Sequence, residues 1–262
     1  MTEPDAFPPP GHPLRFTTIA HRDRRILGPY DESTLTAFVD DLPVRRDGLA
    51  LDIACGKAAL LVALAHRRAV SCLGIDRNPW FLAEGRHAAH AAKVADLVEL
   101  RDGEIGTETS ALPAKAVDLA SCIGASGVFG GRRETLEALA GVARPGALVL
   151  VGEGSLRRPL TDAENDEFGI GEDEMTDVTS TIATGTALGL ESLGSLLATE
   201  PEWDAYEEAY AGSIERWASG EAASDDPDRD PFLERAAFMR DTYTRWRREA
   251  MGFGLFLFRR PS

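Results

Sequence analysis

Through residue 153 the chain alternates short apolar runs with amphipathic stretches. Runs near 48–53, 70–75, 96–100, 117–122 and 147–152 are bounded by Gly, Pro or Asp and have the length and composition of buried strands. Between them, stretches near 32–42, 57–67, 79–93 and 132–143 repeat apolar residues at helical spacing. This βαβ rhythm predicts a parallel sheet with helices on both faces. Arg144-Pro145-Gly146 is a turn that ends the last of these helices and launches Ala147-Leu148-Val149-Leu150-Val151 as a strand.

After residue 153 the texture changes. A polar loop around Pro159-Leu160-Thr161-Asp162 leads to an expected helix near 173–189 and a strand near 191–199. Trp203, Tyr206, Tyr210, Ile214 and Trp217 then recur along one helical face, and Phe232, Ala236, Met239, Tyr243 and Trp246 along another. The polar connector from Ser219 to Pro231 separates them, so an antiparallel helical hairpin is expected. Such regular apolar spacing suits core packing better than an aromatic cage, with one or two residues left to face a ligand. Gly252-Phe253-Gly254-Leu255-Phe256-Leu257-Phe258 reads as a closing strand.

The chemistry concentrates at the first two strand ends. Leu49-Ala50-Leu51-Asp52-Ile53 runs into the small-residue turn Ala54-Cys55-Gly56, a helix follows, and the second strand ends in Gly74-Ile75-Asp76. Small residues let a backbone approach a ligand at the carboxyl end of a strand, and an acid on the next strand can accept both hydroxyls of a ribose. An adenosine-containing ligand is expected. Asp52 and Asp76 can also be read as caps of strand-end turns, and that alternative stays open.

Composition narrows the partners. The net charge is -15, and residues 151–262 hold 24 Asp and Glu against 11 Lys and Arg. An acidic second half disfavours nucleic acid as a partner. No run has the roughly 20 apolar residues of a membrane helix, and the Pro-rich, acidic start lacks a secretory pattern. A cytoplasmic location is expected, as a monomer or homodimer. Cys55, Cys72 and Cys122 read as small buried hydrophobes with no disulfide framework and no metal-ligand spacing. The first 13 residues, rich in Pro and charge, are expected to be mobile or draped over the surface.

Further segments in order resemble the class I S-adenosylmethionine-dependent methyltransferases. Asp52-Ile53-Ala54-Cys55-Gly56 is similar to the family's first motif, with Ala54 and Ala58 where its glycines usually stand. Asp76-Arg77 matches the acid ending the second strand, and Asp102-Gly103-Glu104 the acid after the third. Val117-Asp118-Leu119-Ala120-Ser121-Cys122 looks like the fourth strand. Within the family the chain resembles a bacterial small-molecule group through His21-Arg22, Cys122-Ile123-Gly124-Ala125, Gly152-Glu153 and Gly252-Phe253-Gly254.

The resemblance implies a Rossmann-like open seven-stranded sheet, order 3-2-1-4-5-7-6 with the last strand antiparallel, and a helical lid. It divides the chain into an N-terminal segment over the site (1–30), an α/β cofactor core (31–153), a substrate and lid region (154–251) and a final strand (252–262). It implies methyl transfer from S-adenosyl-L-methionine to an O, N or S nucleophile of a small molecule, with S-adenosyl-L-homocysteine as product. Asp52, Ala54 and Gly56 would meet the methionine part, Asp76 the ribose, and Asp102, Gly103 and Glu104 the adenine, with Arg77 a further cofactor-binding residue. Cys122, Ile123 and Gly124 would line the other side of the cofactor. His21, Tyr30 and Glu153 are the candidates for substrate chemistry. Two alternatives remain. One is a nicotinamide-dependent oxidoreductase, since Ala54-x-Gly56-x-x-Ala59 with Asp76 is a degenerate dinucleotide fingerprint. The other is a protein that binds S-adenosylmethionine without turnover.

Overall fold

Four of the five parallel strands bury apolar residues on both faces, whereas the fifth, Val98–Asp102 at the sheet edge, buries only Leu100. A computed structural model describes residues 7–103, 115–169 and 175–262. Strands β1 (Leu49–Ile53), β2 (Ser71–Asp76), β3 (Val98–Asp102), β4 (Val117–Ile123) and β5 (Ala143–Leu156) pair in parallel. A two-residue strand β6 (Thr176–Asp177) touches the end of β5, while β7 (Glu191–Leu197) and β8 (Met251–Arg259) complete the sheet. The order is β3-β2-β1-β4-β5-β8-β7, with β8 antiparallel to both neighbours. This is the expected topology with the short β6 added.

Alternate residues of each strand enter different cores. Ala50, Cys72 and Leu100 join a cluster with Leu35 and Val39 of α2 (Glu32–Asp41), Leu61 and Leu64 of α3 (Ala59–Arg68), and Leu82 of α4 (Pro79–Ala91). Leu51, Ile53, Val149 and Val151 instead meet Leu136 and Leu139 of α5 (Arg132–Val142) and the N-terminal part of a helix at Val178–Ala187. Helices therefore cover both faces.

The N-terminal segment carries a short helix, α1 (Arg15–Ala20), that the apolar pattern did not predict. Its Ile19 and Ala20 pack with Ala211, Ile214 and Trp217 in a third cluster. Arg15 donates to Asp226 (2.8 and 2.6 Å) and Asp228 (2.5 Å). A second unpredicted helix, α6 (Asp162–Phe168), starts in a Thr161/Glu164 capping box. Helix α7 (Val178–Ala187) begins later than expected because Asp177 caps it, accepting from Ser180 N at 2.7 Å.

The hairpin is as expected, formed by α8 (Glu200–Gly220) and α9 (Arg229–Thr242). The chain continues through a π turn (Tyr243–Arg247) and one last turn, α10 (Arg248–Ala250). Arg247, 2% exposed, donates to both Glu207 carboxylate oxygens (2.8 and 2.9 Å), to Thr242 Oγ1 and to Met239 O. No helix among the described residues is long and apolar enough to cross a membrane. No group of three or more His, Cys, Asp or Glu among them is placed to hold a metal ion.

Candidate active site

The turn after β1 reverses the chain into α3 through three left-handed residues, Ala54 (φ 57°), Gly56 (φ 54°) and Ala58 (φ 56°). The end of β2 holds it. Cys55 N donates to Ile75 O, and Gly56 N donates to Asp76 Oδ2 at 2.7 Å. Asp76 Oδ1 accepts from Asn78 N at 2.7 Å. Burial pushes the Asp76 carboxyl up and the two amides pull it back. The capping role that the sequence left open for Asp76 is therefore present, and each oxygen keeps a lone pair for a further donor.

Asp52 stands beside it, 4% exposed. Ser121 Oγ donates to Asp52 Oδ1 at 2.7 Å, and among the described residues no group donates to Oδ2. Burial raises the Asp52 carboxyl to about 7, against the pull of Ser121 and with the Asp76 charge adding to the rise. A cationic group next to Oδ2 would reverse that rise.

These two acids form one wall of a cavity of about 390 Å³. The opposite wall comes from the N-terminal segment, with Thr17, His21, Leu27 and Tyr30, closed at the side by Tyr206 of α8 and Phe253 of β8. His21 Nδ1 lies 2.9 Å from Thr17 O, and Nε2 lies 3.1 Å from Tyr206 Oη. A carbonyl only accepts, so Nδ1 carries the hydrogen. Burial lowers His21 to about 4, with Lys57 and Arg24 adding to the effect, so the ring is neutral and Nε2 accepts from the Tyr206 hydroxyl. Tyr30 is buried, and its hydroxyl donates to Leu196 O at 3.2 Å.

The N-terminal segment is strapped to the cofactor-type turn by the residues next to its functional ones. Lys57, 2% exposed, donates to His21 O (2.9 Å) and Arg22 O (3.2 Å) and pairs with Glu84 (2.6 Å). Asn78 caps α4 and donates from Nδ2 to Thr18 Oγ1 at 2.9 Å. Arg24 gathers the carbonyls of Ile26, Gly28 and Tyr30 and lies over the Tyr206 ring, 5.3 Å from its centroid.

Residues 51–149 match the family model of a methyltransferase domain. An S-adenosylmethionine-dependent methyltransferase from Geobacter sulfurreducens, solved with S-adenosyl-L-homocysteine, is 26% identical, with 93% of this chain and 97% of that one covered at a TM-score of 0.85. Its counterpart from Thiobacillus denitrificans, solved with the same ligand, is 25% identical, with 93% and 97% covered at 0.84. Residues 51–149 are thus a methyltransferase domain, and the whole chain has the fold of the S-adenosylmethionine-dependent methyltransferases it resembles. The chain is also similar to the uncharacterised YjhP of Escherichia coli, 26% identical over 247 residues, 92% of this chain and 96% of that protein. The solved structure of YjhP superposes with a TM-score of 0.86 over 93% and 98% of the two chains.

Of the residues the sequence singled out, Asp52, Ala54, Gly56, Asp76 and Arg77 line the cavity. Ile123, Gly124, His21 and Tyr30 line it as well. Cys122 does not: it is fully buried in the α5 and α7 core, behind Ile123. Asp102 and Gly103 stand just outside at the end of β3, where Gly103 N donates to Asp76 O at 3.2 Å. Glu104 lies outside the described residues.

Glu153 is also absent from the cavity wall. It shares a strand face with Val151 and Val149, two and four positions back, and Ser126 Oγ donates to its Oε2 at 2.9 Å. Its Oε1 is buried without a partner among the described residues, and burial raises the carboxyl to about 7 against Ser126 and Arg132. Sequence reasoning did not single out Lys57 or Asn78. Asn78-Pro79 is a readable helix start, but nothing in the sequence joins it to Thr18.

Proposed function

We propose that the cavity under the N-terminal strap binds S-adenosyl-L-methionine together with a small-molecule acceptor, and that the protein moves the methyl group to an O, N or S nucleophile by in-line displacement. The observation that carries this reading is a single cavity with two buried acids on one wall and a mostly apolar, aromatic surface opposite. The donor set fits the cofactor. Asp52 has an unengaged oxygen for an ammonium, and Asp76 has lone pairs for ribose hydroxyls. Asp102 and Gly103 would frame the adenine, and Ile123 and Gly124 would pack beside the sulfur.

The sulfonium supplies an electrophilic methyl carbon, so the acceptor lone pair forms the new bond as the carbon–sulfur pair leaves with sulfur. The chain's own residues then have three tasks: to align the acceptor, to exclude water, and to keep the pocket dry while it is filled. The strap, Tyr206 and Phe253 do the excluding. His21 and Tyr30 are assigned to the acceptor side, whereas Glu153 is assigned to the support of the turn after β4. The net charge of -15 makes a small molecule, not a nucleic acid, the fitting acceptor.

Calorimetry with S-adenosyl-L-homocysteine tests the cofactor part. The product should bind, NAD should not displace it, and Asp52→Asn should weaken it about ten-fold by removing a buried charge from an ammonium. Displacement by NAD, or an Asp52→Asn variant that binds as well as the parent, would refute the assignment.

A further inference from the structure

Resting on the methyl-transfer reading, we infer that the acceptor is an uncharged aromatic molecule bearing one hydroxyl or amine, and that the Tyr206–His21 pair receives that group. The first argument is the charge inventory of the cavity. Among the described lining residues the carboxylates are Asp52 and Asp76, both on the cofactor wall. Arg25 is paired with Glu32 at 3.0 Å, and Lys57 has Glu84 and two carbonyls. Arg77, itself exposed, follows buried Asp76 and so stands on the cofactor wall. Among the described lining residues, no unpaired cation therefore stands on the acceptor side to receive a phosphate or carboxylate.

A cationic amine is disfavoured for a different reason. Aromatic faces attract ammonium groups, but two of the rings here already carry protein cations. The Arg24 guanidinium lies 5.3 Å from the Tyr206 centroid and Lys57 Nζ lies 5.6 Å from that of Phe81. An additional cation in the cavity would face both.

An uncharged planar molecule meets no such opposition. The acceptor side offers ring edges and faces: His21 stands edge-on to Phe81 (6.2 Å) and Tyr210 (5.3 Å), and Tyr30 edge-on to Phe253 (5.9 Å). One polar feature interrupts it. The Tyr206 hydrogen is committed to His21 Nε2, so the Tyr206 oxygen presents lone pairs and accepts a hydrogen bond from a hydroxyl or amine. The fixed tautomer of His21, set by Thr17 O, makes this pair a positioning device for a donor group.

The test uses the full chain saturated with S-adenosyl-L-homocysteine and four matched probes: 4-cyanophenol, benzonitrile, 4-cyanobenzoate and 4-cyano-N,N,N-trimethylanilinium. Calorimetry should show 4-cyanophenol binding about three- to ten-fold tighter than benzonitrile, the worth of one hydrogen bond, and both charged probes binding more weakly than benzonitrile. Tyr206→Phe should lower 4-cyanophenol to the level of benzonitrile and leave benzonitrile and S-adenosyl-L-homocysteine unchanged, the latter being the check that the variant is folded. The ranking in the unmutated protein stands without any variant. The inference is overturned if either charged probe binds tighter than 4-cyanophenol, if 4-cyanophenol and benzonitrile bind alike, if Tyr206→Phe weakens both equally, or if no probe binds. Failure of the unmutated protein to bind S-adenosyl-L-homocysteine would instead overturn the methyl-transfer reading beneath it.

Discussion

Ala54 and Ala58 share one backbone conformation and differ in burial, which makes them a controlled pair. Both sit in the left-handed region, at φ 57° and 56°. For a residue with a Cβ that conformation costs roughly 1–2 kcal/mol, and glycine escapes it. Replacement by glycine also loosens the unfolded chain, which takes back about 0.4–1 kcal/mol. The methyl group then decides the sign. Ala54 is half-buried, whereas Ala58 is 0% exposed and belongs to the α2–α4 core cluster. A fully buried methyl contributes about 0.8 kcal/mol, and a half-buried one roughly half of that. Ala54→Gly is therefore expected to stabilise by roughly 0.5 kcal/mol, and Ala58→Gly to be close to neutral. In a chain of this size the first change raises the melting temperature by about 1–2 °C. Differential scanning calorimetry on the single and double variants measures it. If Ala54→Gly lowers the melting temperature, or if Ala58→Gly gains more than Ala54→Gly, the strain argument fails.

Gly56→Ala should do the opposite, because a Cβ there meets Leu27 Cδ1 at 2.5 Å as well as the left-handed torsion; a loss of about 1–3 kcal/mol is expected, and an unchanged melting curve would contradict the contact. Lys57→Ala leaves two strap carbonyls without their donor, so trypsin should cut faster at Arg22, Arg24 and Arg25, with a stability loss on the order of 2–4 kcal/mol; unaltered cleavage would show that the strap is held elsewhere. Glu153 is raised to about 7 by burial, so folding favours its protonated form, and its contribution is full below the ordinary carboxylate range and lost as pH climbs through about 7. Glu153→Gln should thus match the parent at pH 5 and exceed it by on the order of 2 kcal/mol at pH 8, with equal denaturation midpoints at both pH values counting against the burial argument. Arg247→Met alone should cost about 3–5 kcal/mol by stranding buried Glu207, and adding Glu207→Leu should recover most of it; a strictly additive double-mutant cycle would deny the coupling.

The sheet could be read from the sequence because the parallel strands other than the edge strand β3 (Val98-Glu99-Leu100-Arg101-Asp102) are built on apolar runs, and the topology followed from the resemblance those runs support. The first-motif residues and Asp76 were readable for the same local reason: strand end, small turn, next strand end. Helix α1 was not, since Arg15-Phe16-Thr17-Thr18-Ile19-Ala20 has weak helical propensity and owes its form to packing on α8 and the Arg15 ion pairs. Helix α6 did carry a signal, the Thr161-x-x-Glu164 box, which the neighbouring Pro159 obscured. Glu153 was rightly placed at a strand end, but which sheet face holds the cavity is a tertiary fact. Tyr206 was visible only as one member of an aromatic stripe. Most of that stripe does pack, with Trp203, Ile214 and Trp217 buried, and Tyr206 departs from it because His21 comes to meet it from 185 residues away.

The least readable part of the site is coupled to the most readable part. Gly56 and Asp76 face the cavity, and Lys57 and Asn78, one and two positions further on, hold the strap. Leu27 of the strap closes directly over Gly56, in the space a side chain there would take. Moving the strap therefore breaks bonds made by the same short turns that present Gly56 and Asp76. The strap also carries His21, whose carbonyl is bound by Lys57 while its ring receives Tyr206. Closing the cavity over the cofactor and completing the acceptor wall are thus one structural event, and both depend on a segment whose readable sequence signal is the short His21-Arg22 pair.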